Sequence, residues 1–295
     1  MSQAQRDTIV VEAAEVIGRE EHPDGQYILR LRAPRIAARA GAGSFVHIRC
    51  SDELPMRRPM SIMRVDPVAG CFDVLFKVTG AGTALLGAQA IGASLSTMGP
   101  IGRCFTPDAE RDIALLLGGG VGIPPMLYLA DVLHAAGRPP AFVVMGSEVP
   151  FPFANNRSQL DVSSVAIADA RCVPELEAQD IPSRLATTQG YAGCFDGFVT
   201  DLARTWLEGL SAAELGRVAV YACGPNPMLK AIAALSASFG LPCQVSMEEF
   251  MACAVGGCAG CTVLTNEDGR QAMRRVCVDG PVFDAQTIEW ESLPH

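Results

Sequence analysis

The chain has 295 residues, of which 49% are hydrophobic and 19% charged, and its formal net charge is −9. These values describe an ordinary globular protein with room for two or three domains, and the acidic balance argues against a nucleic-acid partner. No apolar run reaches the ~18–20 residues that cross a bilayer, so we expect no membrane insertion.

The first seven residues are polar and lack the apolar region of a secretory signal, so we expect no export. The cysteines number 11, an odd total that favours a reducing compartment over a disulfide framework. Both observations predict a cytoplasmic protein.

Residues 1–106 show short apolar runs separated by Gly, Pro and Asp, the pattern of a small antiparallel β-barrel. We predict strands at 8–14, 26–32, 44–49, 61–65 and 71–78. Phe45 is expected to pack inside this barrel.

Two positions in the barrel region suit phosphate groups. The run RRPMSI at 57–62 contains Arg58, whose planar guanidinium fits a pyrophosphate, and Ser61, which supplies a hydroxyl nearby. Further along, Gly82 and Thr83 stand at an apparent helix start, where backbone N–H groups bind anions. Two such positions about 20 residues apart suit a dinucleotide.

From Asp112 onwards strands alternate with helices, which predicts a parallel sheet covered by helices. We predict strands at 113–117, 141–145, 164–168, 184–187 and 217–222, and helices at 124–136, 200–210 and 227–239.

The first of these strands leads into a glycine-rich turn and then a helix. Gly119, Gly120, Val121 and Gly122 allow a tight turn and the close approach of a pyrophosphate, which the helix N-terminus favours. Prolines replace the end of the usual G-x-G-x-x-G pattern, and proline is tolerated in the first helical turn. A plain strand–helix turn is the alternative, but it would not need so many glycines.

A second turn, Cys223-Gly224-Pro225, follows a buried strand and therefore lies at the carboxyl end of the sheet, where ligands bind. Its surroundings in the sequence contain no basic histidine, so activated-thiol chemistry is not supported. After the second strand, Glu148 is placed to bind a ribose hydroxyl, and the next basic residue is Arg157. This favours NAD over NADP.

The C-terminal segment, 243–295, looks too small to fold without a metal centre. It contains four cysteines in the pattern C-x4-C-x2-C-x15-C, namely Cys253, Cys258, Cys261 and Cys277. The first three match plant-type [2Fe–2S] spacing, and Gly256, Gly257 and Gly260 between them can adopt φ > 0 at little cost. A structural zinc site usually shows two short Cys pairs; a zinc-binding scaffold is the alternative.

The histidines show no spacing that suggests a metal site. They are His22, His47, His134 and His295. We expect each to be solvated or hydrogen-bonded.

Taken in order, the R-x-x-S motif, the GGGxGxxP turn and the CGP turn resemble the ferredoxin–NADP reductase superfamily. The short gap before the fourth cysteine, the EEFMAC lead-in and the RRPMSI run look like the electron transfer subunits of class 1B dihydroorotate dehydrogenase. The resemblance covers nearly the whole chain. It implies an antiparallel FAD-binding barrel over 1–106, a parallel-sheet NAD-binding α/β domain over 107–242 and a small [2Fe–2S] domain over 243–295.

The resemblance also implies site residues. FAD would contact Arg58, Pro59, Met60, Ser61, Leu75, Phe76, Lys77, Gly82 and Thr83. The nicotinamide dinucleotide would contact Gly119, Gly120, Val121, Gly122, Cys223, Gly224, Pro225 and Met228. The cluster would be held by Cys253, Cys258, Cys261 and Cys277. Met60 departs from the Tyr that stacks on the flavin in much of the superfamily, which leaves the stacking residue open, and no residue is predicted to act as a general acid or base.

The implied function follows from electron counting. Nicotinamide exchanges a hydride, the cluster one electron and a flavin either, so FAD belongs between them. A partner subunit with FMN would oxidise dihydroorotate in pyrimidine biosynthesis, and electrons would pass through the cluster and FAD to NAD+ within a heterotetramer. The alternative is the same module in a cytosolic hydrogenase or in an NADH-dependent reduced ferredoxin:NADP+ oxidoreductase, with NADP as the second choice of nucleotide.

Overall fold

The computed structural model describes residues 8–153 and 155–293. The polar residues 1–7, on which the expectation of no export depends, and His295 lie outside the described part. Among the described residues, no helix is long and apolar enough to cross a membrane.

Six antiparallel strands close into a barrel in the N-terminal part of the chain, in the order β1-β2-β5-β4-β3-β6. The elements are β1 (Val10–His22), β2 (Gln26–Arg32), α1 (Pro34–Ala37), β3 (Phe45–Ile48), β4 (Arg58–Asp66), β5 (Cys71–Lys77), α2 (Ala81–Gly87) and β6 (Ser94–Ile101). The predicted barrel is confirmed. The sequence pattern missed β6, which is rich in small polar residues and becomes a strand by pairing with β1 and β3.

The second part of the chain folds into a sheet covered by helices. Its elements in chain order are β7 (Ile113–Gly119), α3 (Ile123–Ala135), β8 (Phe142–Gly146), β9 (Asn156–Arg157), β10 (Arg171–Cys172), α4 (Pro174–Glu177), β11 (Ser183–Thr187), β12 (Phe195–Asp196), α5 (Val199–Glu208), α6 (Ala212–Leu215), β13 (Val218–Cys223) and α7 (Asn226–Ser238). The predicted α/β architecture is confirmed. Residues 164–168 do not form the predicted strand; residues 165–167 have no regular secondary structure, and Val165 packs into the hydrophobic core.

The sheet continues beyond residue 242. The remaining elements are β14 (Cys243–Ser246), β15 (Thr262–Glu267), β16 (Arg270–Arg275) and β17 (Val282–Asp284). The sheet order is β12-β11-β8-β7-β13-β14-β17, with only the β14–β17 pair antiparallel. The sheet therefore includes two strands from the predicted third domain, and the proposed boundary after 242 stays a prediction.

Two clusters of buried side chains stabilise this arrangement. The first fills the barrel and continues across one face of the sheet, where Leu116 packs. The second covers the opposite face, with Leu115 and Leu117, and extends to Cys261 and Cys277. Because side chains alternate along a strand, β7 supplies both clusters. The cysteine segment thus packs on the same core as helices α5 and α7.

Candidate cofactor site

A cavity of 980 Å³ lies where the barrel, the sheet and the cysteine segment meet. Its volume is at the upper end of the range found for ligand sites, roughly 300–1,000 Å³. Three parts of the chain line it: the barrel, with strands β3, β4 and β5 and helix α2; the sheet, with Val121 after β7 and Asn226 after β13; and the segment after β14, together with Pro281. A large ligand in this cavity would contact all three parts at once.

All residues predicted to contact FAD line this cavity. They are Arg58, Pro59, Met60, Ser61, Leu75, Phe76, Lys77, Gly82 and Thr83. They come from two antiparallel neighbours, β4 and β5, and from α2, which follows β5. The structure therefore brings the predicted set together, and the role of each residue stays a prediction.

Arg58 and Gly82 are in close contact within this set. A Cβ built at Gly82 would lie 2.6 Å from Arg58 Nε, so a side chain there would displace the guanidinium. The Thr83 hydroxyl accepts from the backbone N–H of Thr79 at 2.9 Å and closes the turn. A cation and a tight backbone turn thus lie side by side, which fits a pyrophosphate.

The two turns predicted for nicotinamide contact each other beside the cavity. A Cβ at Gly122 would lie 2.5 Å from the backbone nitrogen of Gly224, and one at Gly224 would lie 2.5 Å from Met228 Cε. Gly119 also packs against Met228 and Pro225. Among the described residues that were predicted to contact the nicotinamide dinucleotide, only Val121 lines the cavity. Glycine is required here because the β7 and β13 turns cross at backbone contact distance.

Gly120, the remaining member of the first turn, has φ +55, in the left-handed region. This conformation favours glycine. The turn is followed directly by α3, as predicted.

Cys223 lies at the end of β13 and is fully buried. Burial, followed by the Glu248 carboxylate, raises the pKa of its thiol, while hydrogen bonds with Ser246 and Gly224 oppose this shift. The thiol therefore stays neutral near pH 7. A neutral thiol is a poor nucleophile, and the positioning role of Cys223 stays a prediction.

Several cavity residues were missed or misplaced by the sequence analysis. Phe45 was expected inside the barrel, but it belongs to the second core cluster and lines the cavity, because Val46 and Ile48 take the inward positions of β3. Glu248 and Phe250 follow β14 and also line the cavity. The sequence could have indicated both residues, because an acidic and an aromatic residue directly follow a strand of a parallel sheet, where ligands bind.

Glu248 is exposed to solvent at the cavity wall, although many protein atoms lie around its carboxyl. The resulting partial desolvation raises the pKa of this carboxyl to about 7. Phe250 is 94% exposed and lies at the cavity wall.

The four cysteines approach one another in two pairs. Cys253 Sγ and Cys258 Sγ are 3.3 Å apart. Cys261 and Cys277 are both buried and contact each other, and burial together with Cys261 raises the pKa of Cys277 to about 12. A [2Fe–2S] cluster has four thiolate ligands on two irons, so two pairs of thiols fit that cluster. Among the described residues, no three Cys, His, Asp or Glu side chains converge on a single metal position.

Backbone N–H groups surround the first pair. Burial would raise the pKa of Cys253, but hydrogen bonds from the backbone of Val255, Cys258 and Gly257 and from the Cys258 side chain lower it to about 7. Such donors favour the thiolate, which is the form that binds metal.

The loop backbone differs from the expectation for its glycines. Gly256 has φ +80, but Gly257 and Gly260 are not in the left-handed region. Ala254 and Ala259 adopt positive φ in their place, at +55 and +52. This conformation costs an L-residue about 1–2 kcal/mol, which other interactions of the folded chain must offset.

His47 also differs from expectation. It is 1% exposed, and neither ring nitrogen has a hydrogen-bond partner among the described residues. A buried imidazole without partners is rare. His134 is exposed, as expected. The Nε2 atom of His22 lies 3.6 Å from Glu20 Oε2 and has no hydrogen-bond partner among the described residues.

A closed antiparallel barrel, a parallel sheet with two glycine turns and a cysteine loop at one cavity define a flavin and iron–sulfur reductase of the ferredoxin reductase type. Comparison with solved structures agrees. The structure of an NADH-dependent reduced ferredoxin–NADP oxidoreductase matches with a TM-score of 0.74 at 25% identity, over 95% of this chain and 91% of that one. The ferredoxin reductase of carbazole 1,9a-dioxygenase matches in fold, with a TM-score of 0.61 at 23% identity over 79% and 67% of the chains.

Sequence comparisons give the particular family. Residues 248–289 match the iron–sulfur cluster binding domain of dihydroorotate dehydrogenase B. The dihydroorotate dehydrogenase B (NAD(+)) electron transfer subunit of Desulforamulus reducens is 33% identical over 90% of this chain and 93% of that protein. The subunit of the same name from Geobacillus thermodenitrificans is 34% identical over 89% and 92%. The chain belongs to the family of dihydroorotate dehydrogenase B electron transfer subunits, and the predicted cofactors FAD and [2Fe–2S] are confirmed.

Gly256 provides a test of the cluster loop. A Cβ at Gly256 would lie 2.6 Å from Val278 Cγ2, whereas one at Gly257 would meet nothing within 4 Å. Because alanine at 254 and 259 already tolerates positive φ, the contact with Val278 decides the outcome. We expect Gly256→Ala to lose more than about half of its bound iron, through this contact and a backbone cost of about 1–2 kcal/mol. Gly257→Ala should retain its iron.

Iron per protein and the visible spectrum, measured on both variants after anaerobic purification, check this. Equal iron content in the two variants would contradict the loop geometry.

Proposed function

We propose that this protein passes electrons from a dihydroorotate-oxidising partner subunit, through its [2Fe–2S] cluster and FAD, to NAD+. The observation that carries the proposal is the single cavity bordered by the FAD-predicted strands, the glycine turn of the sheet and the lead-in to the cysteines. When bound, the cluster supplies one-electron exchange, FAD one- or two-electron exchange and NAD hydride exchange.

The residues of the chain bind and orient these groups. Arg58 and the turn at Gly82 and Thr83 would hold the pyrophosphate of FAD, with Ser61 at the flavin edge. Leu75 and Phe76 are buried side chains on the cavity wall and would exclude water from the ring. Lys77, which pairs with Asp24, would border the same part of the flavin.

The turns at Gly119–Gly122 and at Cys223–Pro225 would receive the nicotinamide dinucleotide, and Met228 would support both turns from behind. The buried Cys223 thiol fixes the shape of this wall without reacting. No group of the chain is needed as a general acid or base, because a hydride moves directly between the two cofactors.

NAD is the preferred nucleotide in this proposal. Glu148 is exposed, and it lies just beyond the carboxyl end of β8, which neighbours β7 with its glycine turn. A carboxylate there suits a ribose 2′-OH and repels a 2′-phosphate. Arg157 is occupied by an ion pair with Asp169 at 3.1 Å.

The partner subunit would dock over the exposed side of the cysteine loop. Cys258 is exposed, whereas Cys261 and Cys277 are buried on the second core cluster, so the cluster would have one edge towards a partner. The partner is proposed to carry FMN and to form a heterotetramer with this chain. The proposed compartment is the reducing cytoplasm, for which the odd total of 11 cysteines is the supporting observation.

The alternative, the same module in a reduced ferredoxin:NADP+ oxidoreductase or a hydrogenase, is less favoured. Of the two solved structures compared above, the reduced ferredoxin–NADP oxidoreductase is the more similar in fold, but its sequence is only 25% identical to this chain. The dihydroorotate dehydrogenase B subunits reach 33–34% over about nine-tenths of the chain.

An anaerobic titration tests the cofactors and the nucleotide together. Purified protein should show flavin peaks and a broad thiolate–iron shoulder, and NADH should bleach them at least about tenfold more effectively than NADPH, since one lost or repelled charge contact is worth about 1–3 kcal/mol. A colourless protein that contains zinc would overturn the proposed function. If NADPH bleached the absorbance at a lower concentration than NADH, only the choice of NAD as the nucleotide would be overturned.

Substitution of one cluster ligand tests the order of electron flow. Cys258→Ser should retain at least about half of the NADH-to-dye activity, which needs only FAD and nucleotide, but lose nearly all electron flow from the partner subunit. Cys104→Ser, at an exposed cysteine outside the cysteine loop, is the matched control and should keep both activities. Equal loss of both activities in Cys258→Ser would refute the proposed order.

A further inference from the structure

The side-chain amide of Gln26 links the barrel to the segment that follows β8. Gln26 is the first residue of β2, where it pairs with His22 of β1 and with Lys77 of β5. It is only 6% exposed. Its Nε2 atom donates to the Pro23 carbonyl at 2.9 Å and to the Pro150 carbonyl at 2.8 Å. The amide therefore connects a turn of the barrel with a segment that leaves the sheet.

On the barrel side, the amide binds the turn that joins β1 and β2. Asp24 and Gly25 in this turn have φ +65 and +69, in the left-handed region. The Asp24 carboxylate pairs with Lys77, and the Gly25 carbonyl accepts from the backbone N–H of Val78 at 2.9 Å. Because Lys77 lines the cavity, the turn has a fixed position relative to the wall predicted to contact FAD.

On the other side, the amide binds a segment that is attached to both parts of the protein. The backbone N–H of Ser147 donates to the Ala186 carbonyl of β11 at 3.2 Å. Phe151 is 5% exposed and belongs to the first core cluster, which fills the barrel. Glu148 therefore lies between an attachment to the sheet at Ser147 and attachments to the barrel at Pro150 and Phe151.

The position of the backbone at Glu148 affects how well its carboxylate can select a nucleotide. The side chain is exposed, and a hydrogen bond to a ribose 2′-OH requires an oxygen–oxygen distance of about 2.5–3.0 Å. A carboxylate on a segment fixed at one end only would lose more freedom on binding and would select less well. The second attachment, at Pro150, removes part of that cost before the nucleotide binds.

We propose that Gln26 is a positioning residue for nucleotide selection: by bridging Pro23 and Pro150, it holds the segment that carries Glu148 against the flavin barrel. The inference rests on the proposed function, since it uses the contact between Glu148 and the ribose proposed above. Gln26 itself lies outside the cavity lining and contacts neither cofactor in the proposal.

Hydrogen exchange of the backbone amides in 147–153 tests the link in the cofactor-loaded protein. Gln26→Met keeps the length of the side chain but removes both donors. It should make these amides exchange about threefold to tenfold faster, the effect of one lost hydrogen bond on local opening. Gln89→Met is the matched control, because the Gln89 amide also bridges two carbonyls, those of Cys50 and Leu85, but within the barrel. It should leave 147–153 unchanged.

Binding of ADP-ribose and of its 2′-phosphate, measured by calorimetry, tests the consequence without electron transfer. The wild-type protein should prefer ADP-ribose, Gln26→Met should reduce this preference about threefold to tenfold, and Gln89→Met should keep it. Glu148→Gln and the double variant with Gln26→Met should have the same preference, because both residues then act on one contact. A merely structural role of Gln26 would weaken the binding of both ligands equally.

Three results would overturn the proposal: unchanged exchange of 147–153 in Gln26→Met, an unchanged preference in that variant, or additive effects in the double variant. Exchange in the strand 71–77 shows whether the barrel is intact. If Gln26→Met does not fold, Gln26→Asn replaces it, since its amide is one methylene shorter and does not bridge the two carbonyls. The same three results would then overturn the proposal.

The absorbance of the wild-type protein separates this inference from the proposed function. Wild-type protein without flavin or cluster absorbance contradicts the function itself. Wild-type protein with both absorbances, together with a Gln26→Met variant that behaves like it, contradicts only the role of Gln26.

Discussion

The parallel pairing of β14 with β13 is the constraint on which the site depends. Ser246 is paired with Cys223, so the two strands end at the same edge of the sheet. One strand then enters the CGP turn, and the other enters the segment of Glu248 and Phe250 that borders the cavity and reaches Cys253 a few residues later. Because ladder hydrogen bonds fix the register of the two strands, the CGP turn and the start of the segment that leads to the cysteines have fixed relative positions.

The four cysteines differ in how far they are buried in the second hydrophobic core. Cys261 and Cys277 are buried beside Val263 and Val276, on the core shared with α5 and α7. Cys258 is exposed. A cluster bound by these thiols would be anchored to the sheet on one side and open to a partner on the other, as a one-electron relay between two proteins requires.

Prediction from the sequence succeeded where the chemistry is local. The glycine turn at 118–122, the helix after Gly82 and the strands with clear apolar runs follow from residue type and spacing, because turn conformation and strand alternation depend on near neighbours. It failed at β6, a strand that was missed, and at 164–168, where a strand was predicted and none forms. In both places the pattern of polar and apolar residues does not show whether another strand lies alongside to pair with. It also failed at Phe45, whose face of β3 is set by pairing with β4 and β6.

The sequence by itself determined the family and the positions of the two glycine-containing turns, and it predicted the cluster ligands, since a cysteine spacing and a glycine pattern are properties of a continuous segment. Only the tertiary structure decided that Arg58 lies against Gly82 and that Glu248 and Phe250 border the same cavity as the barrel strands β4 and β5. These contacts join residues far apart along the chain. Their formation depends on the closed barrel and on the order of strands in the sheet, which no local pattern encodes.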